Sequence, residues 1–170
     1  MELTNDVLLK GPIWAETIDS LKGSFFATNW DIYALCISIG MMFDSQIASD
    51  DMVPKGYSEE PRYIPRNMLG HAQHESLLDF MFQTALVTTK HLNLDEEKRL
   101  ELAFSSDAKP DFSPIGFLTK FANFGVTKLH PLISDADPTE TMLSMMTFLN
   151  ETYEAGIDNI EMDDDIEDLE

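Results

Sequence analysis

The chain has 170 residues, 44% of them hydrophobic, with 31 acids against 11 bases and one cysteine. That length buries a core without disulfides or a structural metal, and a lone thiol closes no intramolecular bridge. A net charge of −20 repels phosphates at long range, which disfavours general nucleic-acid binding and favours a protein partner with a basic surface.

The opening MELTNDVLLKG holds an acid and a short apolar run, unlike the basic start and long apolar stretch of a signal peptide, so a cytoplasmic location is expected. Residues 1–10 read as irregular or as one short helical turn, broken at Gly11 and Pro12. Ile13, Trp14, Thr17, Ile18 and Leu21 fall near helical spacing behind Pro12, which suits a first helical position. Gly23 and Ser24 end that helix. Residues 29–43, NWDIYALCISIGMMF, are apolar on nearly every side and predict a buried helix, capped by Thr28 or Asn29 with Asp31 in its first turn. At about 1.5 Å per residue it is too short for a bilayer, so it reads as the core element and not as a membrane span. Cys36 lies within it, where a thiol behaves as a small buried hydrophobe.

Residues 47–67 lose the pattern. Three prolines, a glycine and mixed charges mark a long loop, a length that often carries function. Lys55, Arg62 and Arg66 stand there beside Tyr57 and Tyr63. Two readings remain open for them: a solvated loop with its tyrosines tucked onto the body, or a basic and aromatic contact patch for a partner or nucleic acid.

Four further helices follow. In residues 74–88, Leu77, Leu78, Phe80, Met81, Phe82, Ala85 and Leu86 form a wide apolar face against a polar stripe of Ser76, Asp79 and Gln83. In residues 95–104, Leu100, Ala103 and Phe104 are expected inside, with Glu96, Glu97 and Glu101 in water. Ser113 and Pro114 open the next helix, in which Ile115, Phe117, Leu118, Phe121, Ala122 and Phe124 pack, while Lys120, Asn123 and Thr127 stay wet. Gly125 either ends that helix or lets a neighbour approach closely. Asp137 and Pro138 start a last helix with Met142, Leu143, Met145, Met146, Phe148, Leu149 and Tyr153 inward, closed by Gly156.

These elements predict an all-α, compact single domain of five to six packed helices over residues 1–156, then a disordered acidic tail over 157–170. Eight acids and no base follow Gly156, so the tail carries −8 of the charge and the rest of the chain −12. Met162, Ile166 and Leu169 recur in the tail at helical spacing, which allows a solubilising segment, one that folds onto a partner's basic groove, or one that shields the chain's own Lys55, Arg62 and Arg66. The methionines, including Met41, Met42, Met142, Met145 and Met146, read first as core filler and otherwise as an adaptable binding surface.

No phosphate-binding loop, dinucleotide fingerprint or nucleophile elbow occurs. His71, His74 and Glu75 form the one metal-like cluster, but they match neither a zincin nor a di-iron pattern, so no cofactor is expected.

The succession of FFATNWDIYALCISIGMMF, RYIPRNML, LLDFMFQTALVTTKHLNLDEEKRLELAF and FLTKFANFGVTKL resembles small accessory proteins of bacterial DNA phosphorothioation systems, which are modification and defence loci. The likeness runs over residues 25–129 and is most specific in FANFGVTKL, where Phe124 replaces the first glycine of that family's pattern. The resemblance implies the setting, a DNA modification or antiphage defence complex, and supplies no catalytic residues; the missing catalytic motifs, the compact helical body and the charged tail point to a non-enzymatic accessory subunit within it. Such an adaptor would use Tyr57, Arg62, Tyr63 and Arg66, together with Met162, Ile166 and Leu169 of the tail. The alternatives are an acidic DNA mimic that blocks a nucleic-acid-binding protein, or a small metal protein using His71, His74 and Glu75.

Overall fold

A computed structural model describes residues 5–105, 107–134 and 137–162, with the backbone alone from 155 onward. It is mostly helical. The described elements are β1 (Val7–Leu9), α1 (Pro12–Leu21), α2 (Asn29–Met42), β2 (Arg62–Ile64), α3 (Arg66–Leu69), α4 (Ala72–Thr88), α5 (Glu96–Phe104), α6 (Pro114–Leu129) and α7 (Pro138–Met162), with a 3-10 turn at His130–Leu132. The expectation of an all-α chain needs one correction. β1 and β2 pair antiparallel, with Val7 opposite Ile64, Leu8 opposite Tyr63 and Leu9 opposite Arg62. Three residues each are too few to show alternation in the sequence, and β2 lies inside the segment expected to be loop.

The chain divides into two compact units, residues 1–131 and 132–170, where the sequence reads as a single domain to 156. In the first, α2 is the centre. Thr28 and Asp31 form a reciprocal capping box at its start, the Thr28 hydroxyl accepting from the Asp31 N–H and the Asp31 carboxylate from the Thr28 N–H. No residue of the helix before Met42 is exposed, as its apolar composition requires.

The partner that buries it is α6. A Cβ on Gly40 would meet the Phe121 carbonyl oxygen at 2.1 Å, and one on Gly125 would meet the Cys36 carbonyl oxygen at 1.9 Å. Each glycine thus faces the residue four positions before the other, so α2 and α6 cross antiparallel with their backbones in contact. Gly125 sits inside a helix and serves close approach. Around this seam pack Trp14, Ile18 and Leu21 of α1, and Leu78, Phe82 and Leu86 of α4. Phe82, Phe117 and Phe121 add edge-on ring contacts, with centroids 6.1 Å apart for the first pair and 5.3 Å for the second.

Polar groups pin the core in two places. The Tyr33 hydroxyl lies 2.9 Å from the Thr119 hydroxyl, which itself donates to the Ile115 carbonyl, leaving Tyr33 as the donor. Asn123, expected in water, is buried. Its Oδ1 accepts from Trp14 Nε1 at 2.9 Å, and its Nδ2 donates to the Ile47 carbonyl at 3.0 Å, so it ties α1, α6 and the loop after α2 together.

In the second unit, Asp137 caps α7 by accepting from the Thr139 N–H at 2.8 Å. The buried Thr141 hydroxyl accepts from the Ser134 N–H at 2.8 Å. Gly156 does not end α7, which runs six residues further to Met162. The tail expected over 157–170 therefore begins as helix, and its residues 163–170 lie outside the described part. No described helix is long and apolar enough to cross a membrane.

Candidate functional site

The loop residues singled out from the sequence go to different neighbours. Arg62, on β2, donates from Nε and Nη2 to the two carboxylate oxygens of Asp19 at 3.1 and 2.6 Å, a two-pronged pair that fastens β2 to α1. The Arg62 guanidinium in turn holds the Asp19 carboxyl below its ordinary value. Its charge is thereby paired within the chain, at the surface. Tyr57 donates to Glu59 at 3.0 Å. Tyr63 is exposed, directly opposite exposed Leu8 across the sheet, and its carbonyl accepts from Asn29 Nδ2 at 2.9 Å. Arg66 begins α3, with its backbone N–H donating to Asp6 at 2.8 Å.

Arg62 and Tyr63 line a recess of about 460 Å³ with Lys22, Thr28, Asn29 and Met68, whereas Tyr57 and Arg66 do not. Two of the four loop residues therefore share a surface. Met162 is in the last described turn of α7, and Ile166 and Leu169 lie outside the described residues.

His71 and His74 have ring centroids 5.9 Å apart. His74 Nδ1 donates to the Met68 carbonyl at 2.8 Å and its ring stacks on Trp30 at 4.6 Å, so this imidazole holds the start of α4 onto α2 and α3. Among the described residues no three His, Cys, Asp or Glu side chains gather in a way that could hold a metal ion. Cys36 is fully buried, and that burial pushes its thiol up, away from the nucleophilic thiolate. His130 closes α6 beside Thr17 and Glu16, 3.3 Å from each.

The surface that sequence reasoning missed lies on α4 and α5. Val87 and Leu100 line one recess of about 270 Å³, and Phe82, Gln83, Leu102 and Ala103 line another of about 450 Å³, so the two helices run antiparallel as a hairpin. The sequence reading turned part of this hairpin the wrong way. Phe80 is 63% exposed and Phe104 69%, with Leu77, Val87 and Leu100 also in solvent, while Asp79 and Gln83 are half-buried. Leu77, Phe80 and Val87 fall on one helical stripe and Leu100 and Phe104 on another. The signal was available: the apolar positions of α4 cover more of the helix than one packing face can bury.

A second correction concerns methionine. Met42, Met142 and Met146, read first as core filler, are exposed.

No protein-family profile matches the chain, and neither curated proteins nor solved structures yield a match.

Proposed function

We propose that the chain is a non-enzymatic accessory subunit that docks onto a larger protein through the α4–α5 hairpin. The observation that carries this is the pair of exposed phenylalanines, Phe80 and Phe104, flanked by Leu77, Val87 and Leu100 on one supersecondary unit. Several large apolar side chains gathered on one hairpin and left in water support an interaction surface there, and aromatic anchors of this kind dominate the energy of protein interfaces. Engagement of Arg62 by Asp19 supports a protein partner over a phosphate backbone, because that guanidinium is already matched. The setting in a prokaryotic DNA modification or antiphage defence complex rests on the resemblance to phosphorothioation accessory proteins alone.

The test is affinity capture of the tagged full chain from its native host with nuclease added, followed by reconstitution with the purified partner. The expected result is one stoichiometric, nuclease-resistant partner that is lost with the Phe80→Gln/Phe104→Gln variant. Recovery of the chain alone, or a partner held equally by the variant, refutes the reading.

A further inference from the structure

The second unit carries a face of different character. At about 3.6 residues per turn, the positions of α7 sort into three strips. Thr141 is buried and Met145, Phe148 and Thr152 are half-buried along one of them. Met142, Leu143, Met146 and Tyr153 form the next, and all four are exposed, Leu143 to 64% and Tyr153 to 66%. Glu140, Glu151 and Glu154 are exposed along the third, which borders the apolar strip. Over its 25 residues α7 holds five acids and no base.

This composition selects the occupant. A second copy of α7 would set one acid row against another with no cation to separate them, so self-pairing is opposed by like charge. A helix or groove that carries an apolar ridge edged by Lys or Arg matches both strips at once, the ridge covering Met142, Leu143, Met146 and Tyr153 and the cations facing Glu151 and Glu154. Two of the four exposed apolar residues are methionines, whose unbranched chains adapt to an imperfect ridge.

We propose that α7 is a docking helix for a basic, amphipathic segment of a protein partner. The biological use rests on the accessory-subunit reading, but the recognition itself is testable without a known partner. The probe is a fluorescent synthetic peptide of leucine and lysine in helical 3-4 spacing, titrated with the full chain and followed by anisotropy, beside a scrambled peptide of the same composition.

The patterned peptide is expected to bind and the scrambled one not. Leu143→Gln/Met146→Gln/Tyr153→Gln should weaken binding by about tenfold or more, since all three lose apolar contact. Glu151→Gln/Glu154→Gln should weaken it by about threefold at low salt and little at high salt. Both variants replace exposed residues, and their circular dichroism should match that of the natural chain.

Equal binding of the two peptides, or full affinity in the triple variant, overturns the proposal. So does a chain that sediments as a dimer and becomes monomeric in the triple variant, because a second copy then covers the strip. If the peptide fails while the captured host partner still depends on Phe80 and Phe104, the α7 proposal falls and the accessory-subunit reading stands.

Discussion

Gly125→Ala tests the packing logic on which the whole first unit depends. In an isolated helix this change stabilises by about 1 kcal/mol, because alanine restricts the unfolded chain and favours the helix. Here the new methyl would stand 1.9 Å from the Cys36 carbonyl oxygen and 2.6 Å from its carbonyl carbon. Those are backbone atoms of a buried helix and cannot rotate away. Relief requires α2 and α6 to part by more than about 1 Å, a gap that forfeits about half or more of the dispersion contact along the seam. Overpacking a core costs about 1–3 kcal/mol even where side chains yield. A backbone obstruction belongs at the upper end, so after the propensity gain the net loss should be about 2 kcal/mol or more. Urea unfolding followed by circular dichroism reads this as a lower midpoint at unchanged slope. Gly40→Ala meets the Phe121 carbonyl oxygen at 2.1 Å and should cost a similar amount, but the double variant should lose less than the sum, since one separation relieves both contacts. Gly116→Ala is the control, because its methyl would meet only the Ser113 side chain, at 3.2 Å. If Gly125→Ala is as stable as the natural chain, the seam is not in backbone contact and the reasoning fails.

Asn123→Ala orphans the buried Trp14 N–H and the Ile47 carbonyl and leaves a void; a loss of about 3 kcal/mol in urea is expected, and less than about 1 would show that water satisfies these groups. Asp44 should set part of the acid limb of stability. Burial pushes its carboxyl up, but the Thr89 hydroxyl, the Lys90 N–H and nearby His91 and Lys90 outweigh this and hold it below its ordinary value. A carboxyl depressed in the fold contributes stability that is complete above the unfolded value of about 3.9 and is lost as pH falls through the folded one. Asp44→Asn, which tolerates the backbone φ of 40° at this position, should therefore be less stable near neutrality and converge with the natural chain below about pH 3.9; parallel curves would contradict this. Phe80→Gln and Phe104→Gln should change stability by no more than about 0.5 kcal/mol because both rings stand in solvent. A larger loss in urea would place those rings in the core.

How much of this was legible depends on whether one helix or two decide a residue's place. The burial of α2 could be read directly, because a helix that is apolar all round has only one environment. The starts of α1, α6 and α7 were legible for a similar reason: Pro12, Ser113 with Pro114, and Asp137 with Pro138 act on the first turn of their own helices. The pairing of β1 with β2 was not, since residues 7–9 find their partner more than fifty positions away and nothing local announces it. Asn123 was misplaced because an amide at helical spacing looks solvated until Trp14 of α1 and Ile47 and Ser49 of the loop after α2 are brought to it from two other parts of the chain.

The candidate surfaces follow the same rule, and this is why they escaped a reading by composition. Tyr57, Arg62, Tyr63 and Arg66 stand out as a basic and aromatic loop, yet the residue with the most conspicuous charge among them, Arg62, is held by Asp19 of α1. Phe80 and Phe104 look like core because aromatic residues within amphipathic helices usually are. What decides the matter is capacity: α4 packs against α2, α5 and α6 with Leu78, Met81, Phe82, Ala85 and Leu86, and those five already fill the face that its neighbours can cover. Apolar residues beyond that number must either widen the core or remain outside. On α4 and α7 the surplus mixes aliphatic side chains, Leu77, Val87 and Leu143, with Phe80, Tyr153 and two methionines, and a covering partner of the kind proposed above would give them the burial that their own fold does not.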